Sequence, residues 1–195
     1  MAQVQSNDPD PNGDVILLIG KDQTPMKVCS QVVSLASPTL AALLKPCFRE
    51  GHELSVRGTV TIPLSDDDPD AFRIICNVLH FKNEHLQVDL PTLLKISIAC
   101  DYYELGRPLL PWAGQWLGPH LKQTPISDWQ ANAQSLCISY ILGDGHAFTQ
   151  STQSLLLYAS DANMDKLSES ECFMLLPSGL LSKSKSNRSL QMSHR

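Results

Sequence analysis

No stretch of about 18 apolar residues occurs in the chain, so no segment reads as a membrane span. The opening residues, MAQVQSNDPDPNGD, lack the apolar core of a secretory signal, and the expected location is therefore the cytoplasm or nucleus. C-x-x-C is missing as well. The six cysteines, Cys29, Cys47, Cys76, Cys100, Cys137 and Cys172, are scattered without close histidine partners. Zinc sites are usually built from such local pairs, so these thiols read as reduced and mostly core. There is no excess of positive charge: the net charge is −5, which excludes a general attraction to nucleic acid or anionic membrane. G-x-S-x-G, H-E-x-x-H and a phosphate-binding loop are all absent, and Gly20-Lys21 lacks the upstream glycine and the following Ser or Thr. Nothing here implies an enzyme, a cofactor or a bound metal.

What is present suits one compact domain with appendages. Residues 1–13 are rich in Asp, Asn and Pro and read as disordered. Asp14–Ile19 is a continuous apolar run, the pattern of a strand buried on both faces. Gly20-Lys21-Asp22 is a turn, and the alternation of Met26 and Val28 adds a second strand, making a hairpin. Ser30 is placed to cap a helix carrying Val32, Val33 and Leu35. Ser37-Pro38 opens another, with Leu40, Leu43 and Leu44 on its apolar face and Pro46 at its end. Cys47 to Gly58 reads as a polar loop. Thr59–Leu64 alternates as a half-buried strand.

Asp68 and Pro69 then start a helix whose stripe is Phe72, Ile75, Cys76 and Leu79. Asp89 caps the next. Leu90, Leu93, Leu94, Ser97, Ile98 and Tyr102 form its stripe, while Ile96, Ala99, Cys100 and Tyr103 make it apolar nearly all round. It is expected to be the buried central helix and to end at Gly106. A shorter helix follows with Leu109, Leu110, Ala113, Trp116 and Leu117, and Pro111 in its first turn. Further on, Trp129, Ala133, Leu136, Cys137 and Tyr140 line one helix and Phe148, Thr152, Leu155 and Ala159 another. Ser168–Glu171 is a capping box before Cys172, Phe173, Leu175 and Leu176. Residues 178–195 are Ser/Lys-rich and aperiodic, a disordered tail.

Two clusters carry apparent chemistry. Asp66, Asp67, Asp68 and Asp70 invite a cation, but no glycine-punctuated loop or bidentate Glu follows at calcium spacing, and a helix cap explains them. The histidines, His52, His80, His85, His120, His146 and His194, show no metal spacing, and Gly143-Asp-Gly-His146 reads as the end of one helix and the start of the next.

Three blocks resemble the BTB/POZ family. DVILLIGKDQTPMKVCSQVVSLASPTLAALL is similar to its opening hairpin and first two helices, with Asp14-Val15, Ser37-Pro38 and Leu40 in the characteristic places. TVTIPLSDDDPDAFRIICNVLHF resembles its strand, acidic turn and Phe-bearing helix. LLKISIACDYYELGRPL resembles its leucine-rich helix with an Ala-Asp-x-Tyr block. Together they span roughly residues 14–118. The DDDP…F form and SYILGDGHAF look most like fungal BTB-only proteins. The resemblance implies an α+β, BTB/POZ-type fold: a small sheet on a helical cluster over 14–118, with a helical extension over 119–177.

It also implies a protein-interaction adaptor or regulator. Phe48-Arg49-Glu50 stands where BTB adaptors that recruit cullin-3 ubiquitin-ligase scaffolds carry a hydrophobic-x-Glu triplet: an apolar anchor beside an acid able to cap a helix or meet a partner's base. The partners implied are cullin-3 or another BTB domain. The family commonly has His-Lys or His-Arg where this chain has Cys29-Ser30. A charged pocket formed with Asp14, as in the repressor type, is therefore not expected. Exchanged BTB dimers use an extra N-terminal helix and strand, about 20 residues or more, whereas 13 precede Asp14 here; the expectation is a monomer or weak homodimer. Two other readings stay open, a self-association module and an enzyme on an unfamiliar α+β fold.

Overall fold

The computed structural model describes residues 8–82, 87–158 and 176. Among them the fold is α+β, with one small mixed sheet and eight helices. The chain divides into two compact units, Met1–Val88 with Lys95–Leu109, and Asp89–Leu94 with Leu110–Arg195.

The first unit holds the sheet, ordered β2-β1-β3. Strands β1 (Val15–Ile19) and β2 (Thr24–Val28) form the expected antiparallel hairpin, with Leu17 opposite Met26. Gly20 closes it at φ +74°, a conformation that glycine adopts without Cβ strain. β3 (Val60–Leu64) returns parallel to β1, with Leu17 opposite Ile62. Val15, Leu17, Ile19, Val60 and Ile62 are buried, but Ile16 and Leu18 are half-exposed. One face of β1 is thus sealed rather than both, and its unbroken apolar run overstates its burial.

Both outer edges of the sheet are closed to further pairing. Lys27 turns its backbone outward, donating to Asp8 Oδ1 (3.0 Å) and accepting from Asp10 N–H (3.1 Å). These bonds anchor residues that composition alone reads as disordered. Pro25, two residues from Lys27, shares that edge. On β3, Val60 N–H points inward to Asp14 O (3.0 Å), so by alternation Pro63 faces out. A proline on each free edge removes a donor that a further strand would need.

Helices α1 (Ser30–Ala36) and α2 (Pro38–Leu43) follow the hairpin. Ser37 caps α2 as its sequence demands, accepting from Leu40 N–H (3.0 Å). Ser30 does not cap α1; it is the first helical residue, and its hydroxyl is drawn to Asp14 instead. The loop expected from Cys47 to Gly58 is largely a helix, α3 (Arg49–Arg57). It stops at Gly58, at φ +72°, and the Glu53–Arg57 ion pair (2.6 Å) supports its last turn.

Asp68 and Pro69 start α4 (Pro69–Leu79) as expected, with Asp68 Oδ1 accepting from Ala71 N–H (3.0 Å). Phe72, Ile75, Cys76 and Leu79 are all buried. Asp89 caps α5 (Leu90–Tyr102) through Thr92 N–H (2.8 Å). Leu93, Ile96, Ser97, Cys100 and Tyr103 are buried, whereas Ile98 and Tyr102 face solvent. α5 therefore has a wet side that its apolar composition conceals. Glu104, at φ +55°, ends it, and Gly106 opens α6 (Gly106–Gln123) instead of terminating α5. α6 is accordingly longer than expected, with Pro111 and Pro119 inside it.

In the second unit α7 (Trp129–Leu142) and α8 (Gly145–Tyr158) form a hairpin. Asp128 caps α7 through Ala131 N–H (3.1 Å), and the Asn132 side-chain amide donates to Asp128 O (2.6 Å) and Pro125 O (3.1 Å), fixing the preceding turn. Gly143 ends α7 at φ +76°, and Asp144 caps α8 through Ala147 N–H (3.0 Å). Gly143-Asp-Gly-His146 is thus the helix-to-helix turn that its residues suggest. Ala159, the Ser168–Glu171 box and the 178–195 tail lie outside the described residues, as do His85 and His194. No described helix is long and apolar enough to cross a membrane.

Candidate functional site

The triplet Phe48-Arg49-Glu50 forms the start of α3. Phe48 takes the N-cap position with extended backbone (φ −99°, ψ 157°). Its N–H donates to Lys45 O (2.9 Å), and its carbonyl accepts from His52 N–H (2.9 Å). The backbone is therefore tied at both ends while the ring stays 50% exposed. Gly51 makes this approach possible. A Cβ there would overlap the Lys45 and Leu44 carbonyl oxygens, so only glycine lets α3 begin so close to the end of α2.

Arg49 and Glu50 are engaged with each other. The guanidinium donates through Nη2 (2.8 Å) and Nε (3.2 Å) to Glu50 Oε1. A bond from its own backbone N–H and then the Arg49 contact hold the Glu50 carboxyl below the usual carboxylate range. Glu50 is the less exposed side chain, 16% against 79% for Arg49. The acid thus serves the first turn of the helix, and the outward charge is that of arginine.

The sequence reading missed the rest of the surface. Phe48, His52 and Val56 recur at i, i+4 and i+8, hence on one side of α3, and all three are exposed, Val56 at 69%. Gly58 at the end and the Glu53/Arg57 spacing were the available signals for this helix; Pro46 and Gly51 obscured them.

Near β1, Asp14 receives two bonds from α1, from Ser30 N–H to Oδ1 (2.7 Å) and from Ser30 Oγ–H to Oδ2 (2.6 Å). Ser30 thus meets this aspartate as a neutral donor. Alongside, His80 bridges α4 to α1. Its Nε2 accepts from Cys29 N–H (3.0 Å) while Nδ1 lies 2.7 Å from Cys76 O, a geometry that calls for the Nδ1–H tautomer.

The acidic run is divided among separate tasks. Asp67 Oδ2 accepts from the Tyr103 hydroxyl (2.6 Å). Desolvation pushes the Asp67 carboxyl up, against the opposing Tyr103 bond. Asp68 binds Lys95 Nζ (2.7 Å) as well as Ala71 N–H. Burial raises its carboxyl, but the Lys95 and backbone bonds together outweigh that and leave it lowered. Tyr103 O in turn accepts from buried Ser37 Oγ (2.6 Å), linking the end of α5 to the cap of α2. Among the described residues no three His, Cys, Asp or Glu side chains cluster as a metal site. Cys76, Cys100 and Cys137 are buried, but Cys47, beside the triplet, is exposed.

No family model matches the chain, and no curated protein does either.

Proposed function

We propose that the chain is a protein-interaction adaptor with a BTB/POZ-type head and that the outer side of α3 is its contact surface. The observation that carries this reading is the Phe48 ring, half-exposed on a backbone fixed by Lys45 and His52 and continued along the helix by His52 and Val56. An aromatic anchor on a rigid element loses little conformational freedom on binding, which is how a few residues come to dominate an interface. The resemblance over 14–118 names the partner class, a cullin-3 scaffold. The hairpin, the α1–α2 pair, β3 parallel to β1 and the acid-capped α4 are in keeping with it. In this reading the protein acts in the cytoplasm or nucleus.

The test is capture of cullin-3 by the intact chain. Wild type retains it, and joint Phe48→Ala and Glu50→Ala replacement weakens retention by about tenfold or more, the loss of one anchor of roughly 1.4 kcal/mol. No capture by wild type removes the ligase reading.

Leu35 on α1, 91% exposed, favours a second reading, self-association through a helix face. The proline-blocked sheet edges leave helices as its route. A mass that does not change with concentration in light scattering removes it.

A further inference from the structure

α7 is buried nearly all round, at Ala133, Ser135, Leu136, Cys137, Ile138, Ser139 and Leu142, more than α8 alone can cover, and α6 meets the hairpin where the Gln150 amide donates to Leu121 O (3.4 Å). Ala133, Leu136 and Cys137 on α7 stand at i, i+3 and i+4, one stripe, and are 1%, 8% and 0% exposed. Leu155 of α8 joins them at 6%, and Trp129, Phe148 and Leu94 pack around the rim. Tyr140 and Phe148, with ring centroids 6.2 Å apart, put the stripe beside the seam between the two helices. One further member of this cluster comes from beyond α8: Leu176, 7% exposed.

We infer that the α7–α8 seam is an apolar docking groove for a short leucine-bearing segment and that this chain's own Leu176 is its resident occupant. The chemistry of the groove sets the type of segment. Its walls are aliphatic, aromatic and thiol, and the small Ala133 and Cys137 side chains leave room for a branched one. Ala133, Cys137, Leu136 and Leu155 offer no hydrogen-bond partner for a charged group, which would lose its hydration against them. Leu176 lies in Cys-Phe-Met-Leu-Leu-Pro, an apolar run between a Ser/Glu-rich and a Ser/Lys-rich stretch. Gly179-Leu180-Leu181 is a second leucine-bearing stretch after α8, but Leu176 is the residue that joins the cluster. None of the α3 residues takes part, so the failure of either proposal leaves the other standing.

The test uses the full chain with Leu176→Asp, which empties the groove, and a labelled synthetic peptide carrying residues 168–181. Fluorescence anisotropy should show the variant binding the peptide about tenfold or more tightly than wild type, whose groove is already filled. A peptide carrying L176D should not bind. Equal binding by wild type and variant, or no binding by a variant that keeps its helical circular dichroism, overturns the inference. Should Leu176→Asp fail to fold, Leu176→Ala with mass-spectrometric mapping of thiol labelling decides instead: Cys137 should label about tenfold faster than in wild type, and an unchanged rate overturns the inference. A wild-type dimer that becomes monomeric in either variant also overturns it, by placing the occupant on a second copy.

Discussion

Asp14 and Ser30 are joined by two hydrogen bonds, one from the serine N–H (2.7 Å) and one from its hydroxyl (2.6 Å), so a single carboxylate at the start of β1 holds the first residue of α1. The pair ties the sheet to the first helix, and position 30 meets the carboxylate with neutral donors. Removing the hydroxyl and removing the carboxylate should therefore have different effects. Ser30→Ala loses one charge-assisted bond, about 1–2 kcal/mol, while Asp14→Ala loses both and strands a backbone N–H, about 2–4 kcal/mol. Urea unfolding of the two variants checks the order. Equal losses would mean that the hydroxyl alone matters.

Adjacent aspartates should respond to pH with opposite sign. The folded Asp68 carboxyl is lowered, so its contribution is present above the ordinary carboxylate pKa and is lost as pH falls through the folded value. Asp68→Ala should cost about 1–2 kcal/mol at pH 7, and the cost should shrink toward pH 3. Asp67 is raised by desolvation, so its favourable contribution belongs to the protonated form and is lost as pH rises through the folded value. Asp67→Asn keeps an acceptor for the Tyr103 hydroxyl and should be neutral or stabilising at pH 7, with the difference fading in acid. Thermal melts from pH 3 to pH 7 read both. A parallel pH dependence for the two variants would contradict this account.

Gly51 is the one position where a single methyl should dismantle α3. Gly51→Ala places a Cβ against the Lys45 and Leu44 carbonyls and should cost about 1–3 kcal/mol, with loss of partner capture. Gly58→Ala, where the open surroundings leave only the left-handed backbone to resist, should cost about 1 kcal/mol. Comparing their chemical denaturation midpoints separates steric overlap from backbone strain.

The thiols should label in an order fixed by burial. Cys47 is exposed and should react first. Burial pushes the Cys76 thiol up to about 12 and raises Cys100 further, so neither offers thiolate at neutral pH. Native-state alkylation followed by peptide mapping should find Cys47 modified while Cys76, Cys100 and Cys137 wait for unfolding.

These expectations show how legible the chain was. Caps and periodic stripes were readable because they are local: Ser37-Pro38, Asp68-Pro69, Asp89, Gly143 and the α4 stripe Phe72, Ile75, Cys76, Leu79 all stand where the sequence puts them. Features decided by distant contacts were not. Whether Ile16 and Ile98 would be wet depends on which faces other elements cover, and no pattern within one segment records that. Ser30 was drawn from capping to Asp14, sixteen positions away. Within the triplet, Phe48 and Glu50 were legible as residues, but the helix that presents them was not: its apolar positions are few, and the glycine required by a close approach looks in sequence like a loop.

The α3 surface is tested most directly by titrating cullin-3 into the full chain by calorimetry, with Phe48→Ala, Val56→Ala and Leu35→Ala as separate variants. The account predicts that wild type binds, that Phe48→Ala and Val56→Ala each weaken binding, Phe48→Ala by about tenfold, and that Leu35→Ala matches wild type. Absence of binding by wild type, or loss at Leu35 with Phe48 and Val56 silent, would contradict it.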